Sequence, residues 1–186
     1  MKSLSLTKPH LIITVGIPGS GKTFFAERFA DTFNAPLLSE DKIIPFVQDG
    51  TALTALFDYQ LEELMKTKQT LIIDGMSDTR TERAELAKRA HKEGYGVLFV
   101  WVQTDPTTAK SRALKGVRAE DHDIRLQRFT NPNTLEKPVV ISGKHTYASQ
   151  AKAVLKKLSS PRAEISSHSA PPVRTSSPGR RNISIR

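Results

Sequence analysis

The 186-residue chain predicts an α/β fold: a doubly wound five-stranded parallel sheet with helices on both faces and a short lid. Three observations carry that expectation. Five short apolar runs, rich in β-branched residues and without alternation, read as strands covered on both faces. Segments of helical period stand between them, as the crossovers between parallel strands require. The first apolar run leads straight into a glycine-rich loop and a helix, "VGIPGSGKTF" at Val15–Phe24.

The first strand is "LIITV" at 11–15. A Lys precedes it, as in a secretory leader, but the run is too brief for a leader's apolar core and ends in glycines. In "GKTFFAERFADTF" the residues Phe24, Phe25, Phe29, Ala30 and Phe33 fall near helical spacing. The second strand is "APLLS" at 35–39. A helix follows in "TALTALFDYQLEELMKT", with Leu53, Leu56, Phe57, Leu61 and Leu64 on one face. The third strand is "TLIID" at 70–74. In "DTRTERAELAKRAHKEG" Thr79 and Glu82, three apart, suit a capping box, and Gly94 suits a helix stop. The fourth strand is "GVLFVWV" at 96–102; "DPTTAKSRALKG" then places Pro106 in a first helical turn and Gly116 past the end. The fifth strand is "PVVIS" at 138–142, and "TYASQAKAVLKKL" closes the domain as a helix.

Beyond Leu158 the composition changes to Ser, Pro and Arg with few apolar residues and no period. Such a segment cannot offset the entropy of ordering. The expected division is a domain over 1–158 and a disordered basic tail over 159–186. Of the net charge of +9 the tail carries +4 and the domain +5. A domain charge of that size suits an enzyme handling phosphates and argues only weakly for nucleic acid. The tail contains no aromatic residue on which bases could stack. Its closing "RRNISIR" alternates Ile183 and Ile185 with polar residues, leaving open a strand added to a partner's sheet or a solvated terminus. The chain contains no Cys, which excludes disulfides and thiolate zinc sites and fits a reducing compartment. No run is long enough to span a bilayer, so the expected location is the cytoplasm.

Gly16, Gly21, Lys22 and Thr23 satisfy G-x-x-x-x-G-K-[ST], with Ile17, Pro18, Gly19 and Ser20 between. The glycines let backbone N–H groups curl around a β-phosphate, Lys22 bridges β- and γ-oxygens, and the Thr23 hydroxyl suits a Mg²⁺ ion. Strand before and helix after are the context this loop needs, which makes the domain a P-loop NTPase with ATP and Mg²⁺ as the expected ligands. Directly after the second strand stands "SED". Asp41 there is placed to accept a proton from, or align, an attacking hydroxyl, or else to cap the next helix. Glu40 is its neighbour candidate. Asp74 closes the third strand and suits a second acid that orders Mg²⁺ through water. After the fourth strand Arg112, Lys115 and Arg118 can belong to a lid whose cations close on the transferring phosphates, Arg112 foremost, whereas Lys115 reads as part of a solvated face.

Taken together, "GIPGSGKT", "SED", "LIIDGMSDTRTER" and "VLFVWVQTDPTTAKSRALK" resemble the small P-loop kinases of the polynucleotide-kinase-like group, related to zeta toxins and small antibiotic phosphotransferases. The resemblance covers about residues 10–158. It implies that Asp41 acts on the acceptor hydroxyl and that Arg112 is the lid arginine. The phage polynucleotide kinase carries an Arg three residues after its catalytic Asp to grip the substrate's phosphate; here that residue is Ile44, and Lys42 points elsewhere on the helix. No Arg occurs anywhere in 43–67, which also argues against a nucleoside monophosphate acceptor. In related kinases the segment after the last strand contacts adenine, so His145 and Tyr147 stand either beside a base or in structural roles. His10, His91, His122 and His168 show no ligand spacing.

The resulting expectation is an ATP- and Mg²⁺-dependent kinase that phosphorylates a hydroxyl on a nucleic acid end, sugar or small molecule, using Lys22, Asp41 and Arg112. A nucleic acid acceptor lacks support from the substrate-side residues. The alternative is a nucleotide-dependent regulatory ATPase or binding protein with the tail as its arm.

Overall fold

The computed structural model describes residues 6–115 and 119–159. Five strands form one sheet in the order β2-β3-β1-β4-β5, every pair parallel. They are β1 (His10–Val15), β2 (Leu37–Ser39), β3 (Leu71–Asp74), β4 (Gly96–Gln103) and β5 (Val139–Ser142). Each expected strand is present. Strand β2 is the shortest because the chain only begins to pair where Leu37 meets Ile72.

Alternation along the strands sorts the core into two layers. Leu11, Ile13 and Val15 of β1, with Leu71 and Ile73 of β3, point to one face and meet Phe57, Leu61 and Met65 of α3 (Gly50–Lys66) and Leu86 and Ala90 of α4 (Arg80–Lys92). Ile12, Ile72, Leu98 and Val100 point the other way, onto Phe25, Phe29 and Phe33 of α1 (Lys22–Phe33) and Ala151 and Val154 of α7 (Tyr147–Ser159). The phenylalanines of α1 stack in a row, with ring centroids 5.3 and 4.7 Å apart. Both faces are thereby covered, as an all-parallel sheet demands.

The caps follow the local sequence. Thr79 and Glu82 form the reciprocal capping box of α4, and Gly94 follows its end with φ +81°. Asp49 accepts from Ala52 N at the start of α3. Asp105 does the same for Thr108 N at the start of α5 (Pro106–Ala113), with Pro106 in the first turn. Three elements were not expected from periodicity: the single turn α2 (Glu40–Ile43), a 3₁₀ turn at Ile44–Phe46, and α6 (Ala119–Arg128). The first two are too short to show a period. Among the described residues no helix is long and apolar enough to cross a membrane. Gly116, Arg118 and residues 160–186, which hold all of the expected tail but Ser159, lie outside the described residues.

Candidate active site

Because all five strands run the same way, the loops that leave them gather on one edge of the sheet, where open α/β folds bind ligands. The loop 16–21 leaves β1 there and enters α1, with Ser20 N donating to Ile17 O at 3.0 Å and Phe25 N to Gly21 O at 3.1 Å. Gly19 has φ +78°, and a Cβ on it would lie 2.0 Å from the Ala109 carbonyl oxygen of α5. Only glycine permits both that backbone and that approach. Thr104, at the exit of β4, donates to Ser20 O at 2.9 Å and holds the loop from the side. Lys22 and Thr23, half-buried, open α1. The loop's N–H groups and the positive end of the α1 dipole therefore converge on one place.

Across the edge, Asp74 ends β3 with 2% exposure and accepts from Thr14 Oγ1 at 2.8 Å. The chain then turns sharply through Gly75, φ +109°, and Met76. A Cβ on Gly75 would stand 2.3 Å from Glu40 Cβ, and Glu40 Oε2 accepts from Met76 N at 2.9 Å. Glu40 thus ties the exits of β2 and β3 together, a structural task that engages its carboxylate. Ser77 Oγ donates to Thr14 O at 2.8 Å. The next carbonyl, that of Asp78, accepts from Arg83 Nη1 at 3.2 Å and Thr130 N at 2.9 Å.

Asp41 lies in the first turn of α2, where Ser39 holds the N-cap position, so capping is not its place. Its exposed carboxylate meets Arg125 of α6: Nη1 and Nη2 each lie 3.4 Å from Asp41 Oδ1, and Nη2 is 3.4 Å from Glu40 Oε1. Arg128 Nη2 donates to Glu82 Oε1 at 2.7 Å. Burial works against the Arg125 charge, but Glu40, Asp41 and Asp78 outweigh it and hold its pKa above the ordinary value. Burial pushes the Asp78 carboxyl up, Lys22 pulls it back, and Glu82 adds to the rise. Lys22, Asp78 and Arg125 therefore share one electrostatic neighbourhood. Asp78, Arg125 and Arg128 are absent from the sequence reading. The signal for the two arginines was their i, i+3 spacing in "DIRLQR"; nothing local marked Asp78.

Arg112 lies elsewhere. Its Nη1 donates to the Gly143 carbonyl at 3.2 Å, at the exit of β5, and a Cβ on Gly143 would stand 2.1 Å from Ser20 O. The arginine that meets Asp41 is Arg125. Lys42 pairs with Glu27 of α1 at 3.1 Å, away from Asp41, and Lys115 is exposed. Tyr147 donates to Thr32 Oγ1 at 2.6 Å, which itself donates to Arg28 O, while the Arg28 guanidinium lies 5.4 Å from the Tyr147 ring centroid, so Tyr147 docks α7 on α1. His145 is exposed in the turn after β5. Asp105 pairs with Lys144 at 2.6 Å, which with the Thr108 N–H holds its carboxyl well below the usual range.

Among the described residues no three His, Asp or Glu side chains group as a metal cage. A hydroxyl at Thr23 and a carboxylate at Asp74 fit an ion that takes most of its ligands from water and phosphate, as Mg²⁺ does. Among the described residues two buried hydroxyls, Ser20 Oγ and Ser39 Oγ, have no hydrogen-bond partner.

The AAA domain family matches residues 11–130, most of the chain, and the protein belongs to that family. A search of the curated proteins found no match. Among solved structures, a gluconokinase from Sinorhizobium meliloti superposes with a TM-score of 0.62 at 16% identity over 81% of this chain and 91% of that one. The Mycobacterium tuberculosis APS kinase CysC in complex with AMPPNP and APS does so with a TM-score of 0.59 at 18% identity over 82% and 99%. Chaetomium thermophilum Kti12 in complex with ADP-AlF3 gives 0.57 at 15% identity over 79% and 96%. At these identities the likeness establishes the P-loop NTPase fold.

Proposed function

We propose that this member of the AAA domain family is an ATP-dependent kinase that transfers the γ-phosphate to a hydroxyl group, within or close to the polynucleotide-kinase-like and zeta-toxin-like group. The observation that carries this reading is a carboxylate, Asp41, on the same edge of the sheet as the phosphate loop and overhung by a lid arginine, Arg125. A protein that only senses nucleotide has no need of a carboxylate at the exit of β2. The gluconokinase and APS kinase among the structural neighbours lend support by fold.

In this reading residues 16–23 hold the phosphates through backbone N–H groups and the Lys22 ammonium. Asp41 aligns the acceptor hydroxyl and takes its proton as the oxygen attacks phosphorus. Thr23 and Asp74 are the residues that would hold Mg²⁺, directly and through water; the ion, when bound, neutralises phosphate charge and orders the β- and γ-oxygens. Arg112, beside Gly143, serves the far side of the loop, and Arg118 remains a lid candidate. Arg125 must release Asp41 before an acceptor can use it. The acceptor is a sugar or other small molecule in preference to a phosphorylated end, because Ile44 and the arginine-free stretch 43–67 offer no phosphate grip.

A regulatory ATPase is the second reading, favoured by the same Arg125 pair, which withholds Asp41. Transfer from γ-labelled ATP to a panel of sugars, 5′-hydroxyl oligonucleotides and hydroxylated antibiotics separates the two, with Lys22→Ala as the control that lacks the ammonium facing the phosphates. Labelled acceptor establishes the kinase; labelled inorganic phosphate alone establishes the ATPase.

A further inference from the structure

Ser39 is a buried side chain with nothing to bond among the described residues. It ends β2 at 3% exposure, and its Oγ has no hydrogen-bond partner there. A hydroxyl shut away from water without a partner is costly to keep, and replacement by Ala relieves that cost. Its surroundings say what it awaits. Ser39 is the register partner of Asp74 on β3, and Asp74 is the register partner of Thr14 on β1. Alternation puts all three on one face: Leu37 and Ile72, two residues back, pack in the layer of α1, while Leu38 and Ile73 point to the opposite layer. Ser39, Asp74 and Thr14 thus form a row across three adjacent strands, beneath the end of α1 that carries Thr23. Thr14 already donates to Asp74 Oδ1, at 2.8 Å.

We infer that the Ser39 hydroxyl is a third protein contact of the Mg²⁺ shell, accepting a hydrogen bond from a metal-bound water that Asp74 also holds. The inference rests on the nucleotide site proposed above, and on neither the acceptor nor the transfer step. Mg²⁺ retains several waters when bound by one carboxylate and phosphates, and those waters need acceptors. Asp74 and Ser39, side by side on neighbouring strands, bring two acceptors to one place. An outer contact of this kind acts through metal affinity, not through the shape of the loop.

The test compares the full chain with Ser39→Ala, measuring ATP affinity by calorimetry with Mg²⁺ and with EDTA, and melting without nucleotide. The variant should bind ATP in Mg²⁺ about tenfold more weakly, the lower end of the range typical of outer-shell changes, and equally well in EDTA. Its ligand-free Tm should hold or rise by a few degrees. In an Asp74→Asn background the same substitution should cost less, because the shared water is already loosened. Equal affinity in Mg²⁺ overturns the inference, as does an equal loss with and without metal. A ligand-free Tm that falls, or a variant that does not fold, also overturns it by revealing a structural partner for the hydroxyl. If the unaltered chain binds no ATP, it is the nucleotide site itself that fails.

Discussion

At the scale of single residues, the site turns on carboxylates that share a neighbourhood and differ in surroundings. Asp41 is exposed and paired at 3.4 Å with an arginine that can leave, so its loss should touch chemistry more than fold. Asp41→Asn is expected to lower the turnover number by a factor on the order of 10² to 10⁴, as for a lost general base, with ATP affinity and Tm nearly unchanged. Single-turnover kinetics beside a melt checks this; a slight loss of rate would remove Asp41 from the reaction. Asp78 is the opposite case, a half-buried carboxyl whose pKa burial raises above 3.8 in spite of Lys22. A carboxyl raised in the folded state binds its proton more tightly there than in the unfolded chain. Its contribution is therefore full below the unfolded value and declines as pH rises from there through the folded one. Urea midpoints from about pH 3 to 7 should show the parent chain losing stability relative to Asp78→Asn across that window, then running parallel. A parent chain that gains on the variant as pH rises would mean that Lys22 outweighs burial.

At the scale of elements, what matters is how the loops leaving the strands are pinned together. The exit of β3 is held by one buried cation. Arg83 of α4, 0% exposed, donates to the carbonyls of Ser77 and Asp78 and grips both oxygens of Glu136, at 2.5 and 3.3 Å. It thereby joins the loop after β3 to the segment that precedes β5. Burial pushes Glu136 up, but the Arg83 hydrogen bond, the Asn133 N–H and the Arg83 charge overcome it and hold the carboxyl below its usual value. Removing one partner of such a pair leaves the other charged and unsatisfied. Arg83→Ala should therefore cost about 3–5 kcal/mol, read from urea unfolding. A loss under about 1 kcal/mol, as an exposed pair would give, would show that water replaces the guanidinium. In helical periodicity Arg83 is one of several charges on a polar helix. Its burial comes from the 129–137 segment crossing above it, which no pattern within α4 announces.

At the scale of the whole molecule, two helical layers close both faces of the sheet, and the described chain ends with α7 at Ser159. Val154 belongs to the α1 layer, with Leu155 and Leu158 packed against it. The segment beyond adds +4 of the +9 charge and no aromatic residue, and its attraction for a polyanion would be screened and blind to sequence. Truncation after Ser159 should leave ATP-dependent transfer and Tm nearly unchanged. A large fall in either would mean that residues 160–186 pack on the domain.

The fold and the phosphate loop were legible in the sequence because both are local. Five apolar runs state the strands, and G-x-x-x-x-G-K-[ST] between a strand and a helix states the loop, since each of its residues acts through its own backbone or side chain within one turn. Asp41 and Asp74 could be read in the same way, as acids at strand ends. Only the tertiary structure decided which side chains meet across strands and loops. It set Arg125, not Arg112, against Asp41, gave Glu40 to the turn at Gly75, took Tyr147 into the α1–α7 contact, half-buried Asp78 near Lys22, and left Ser39 without a partner among the described residues beside Asp74. Each of those outcomes joins residues at least 35 positions apart. For Glu40 with Gly75 and Ser39 with Asp74 the proximity follows from the strand order, in which β3 lies beside β2, and for the rest from helices and loops meeting across the sheet; a spacing rule confined to one element cannot contain either.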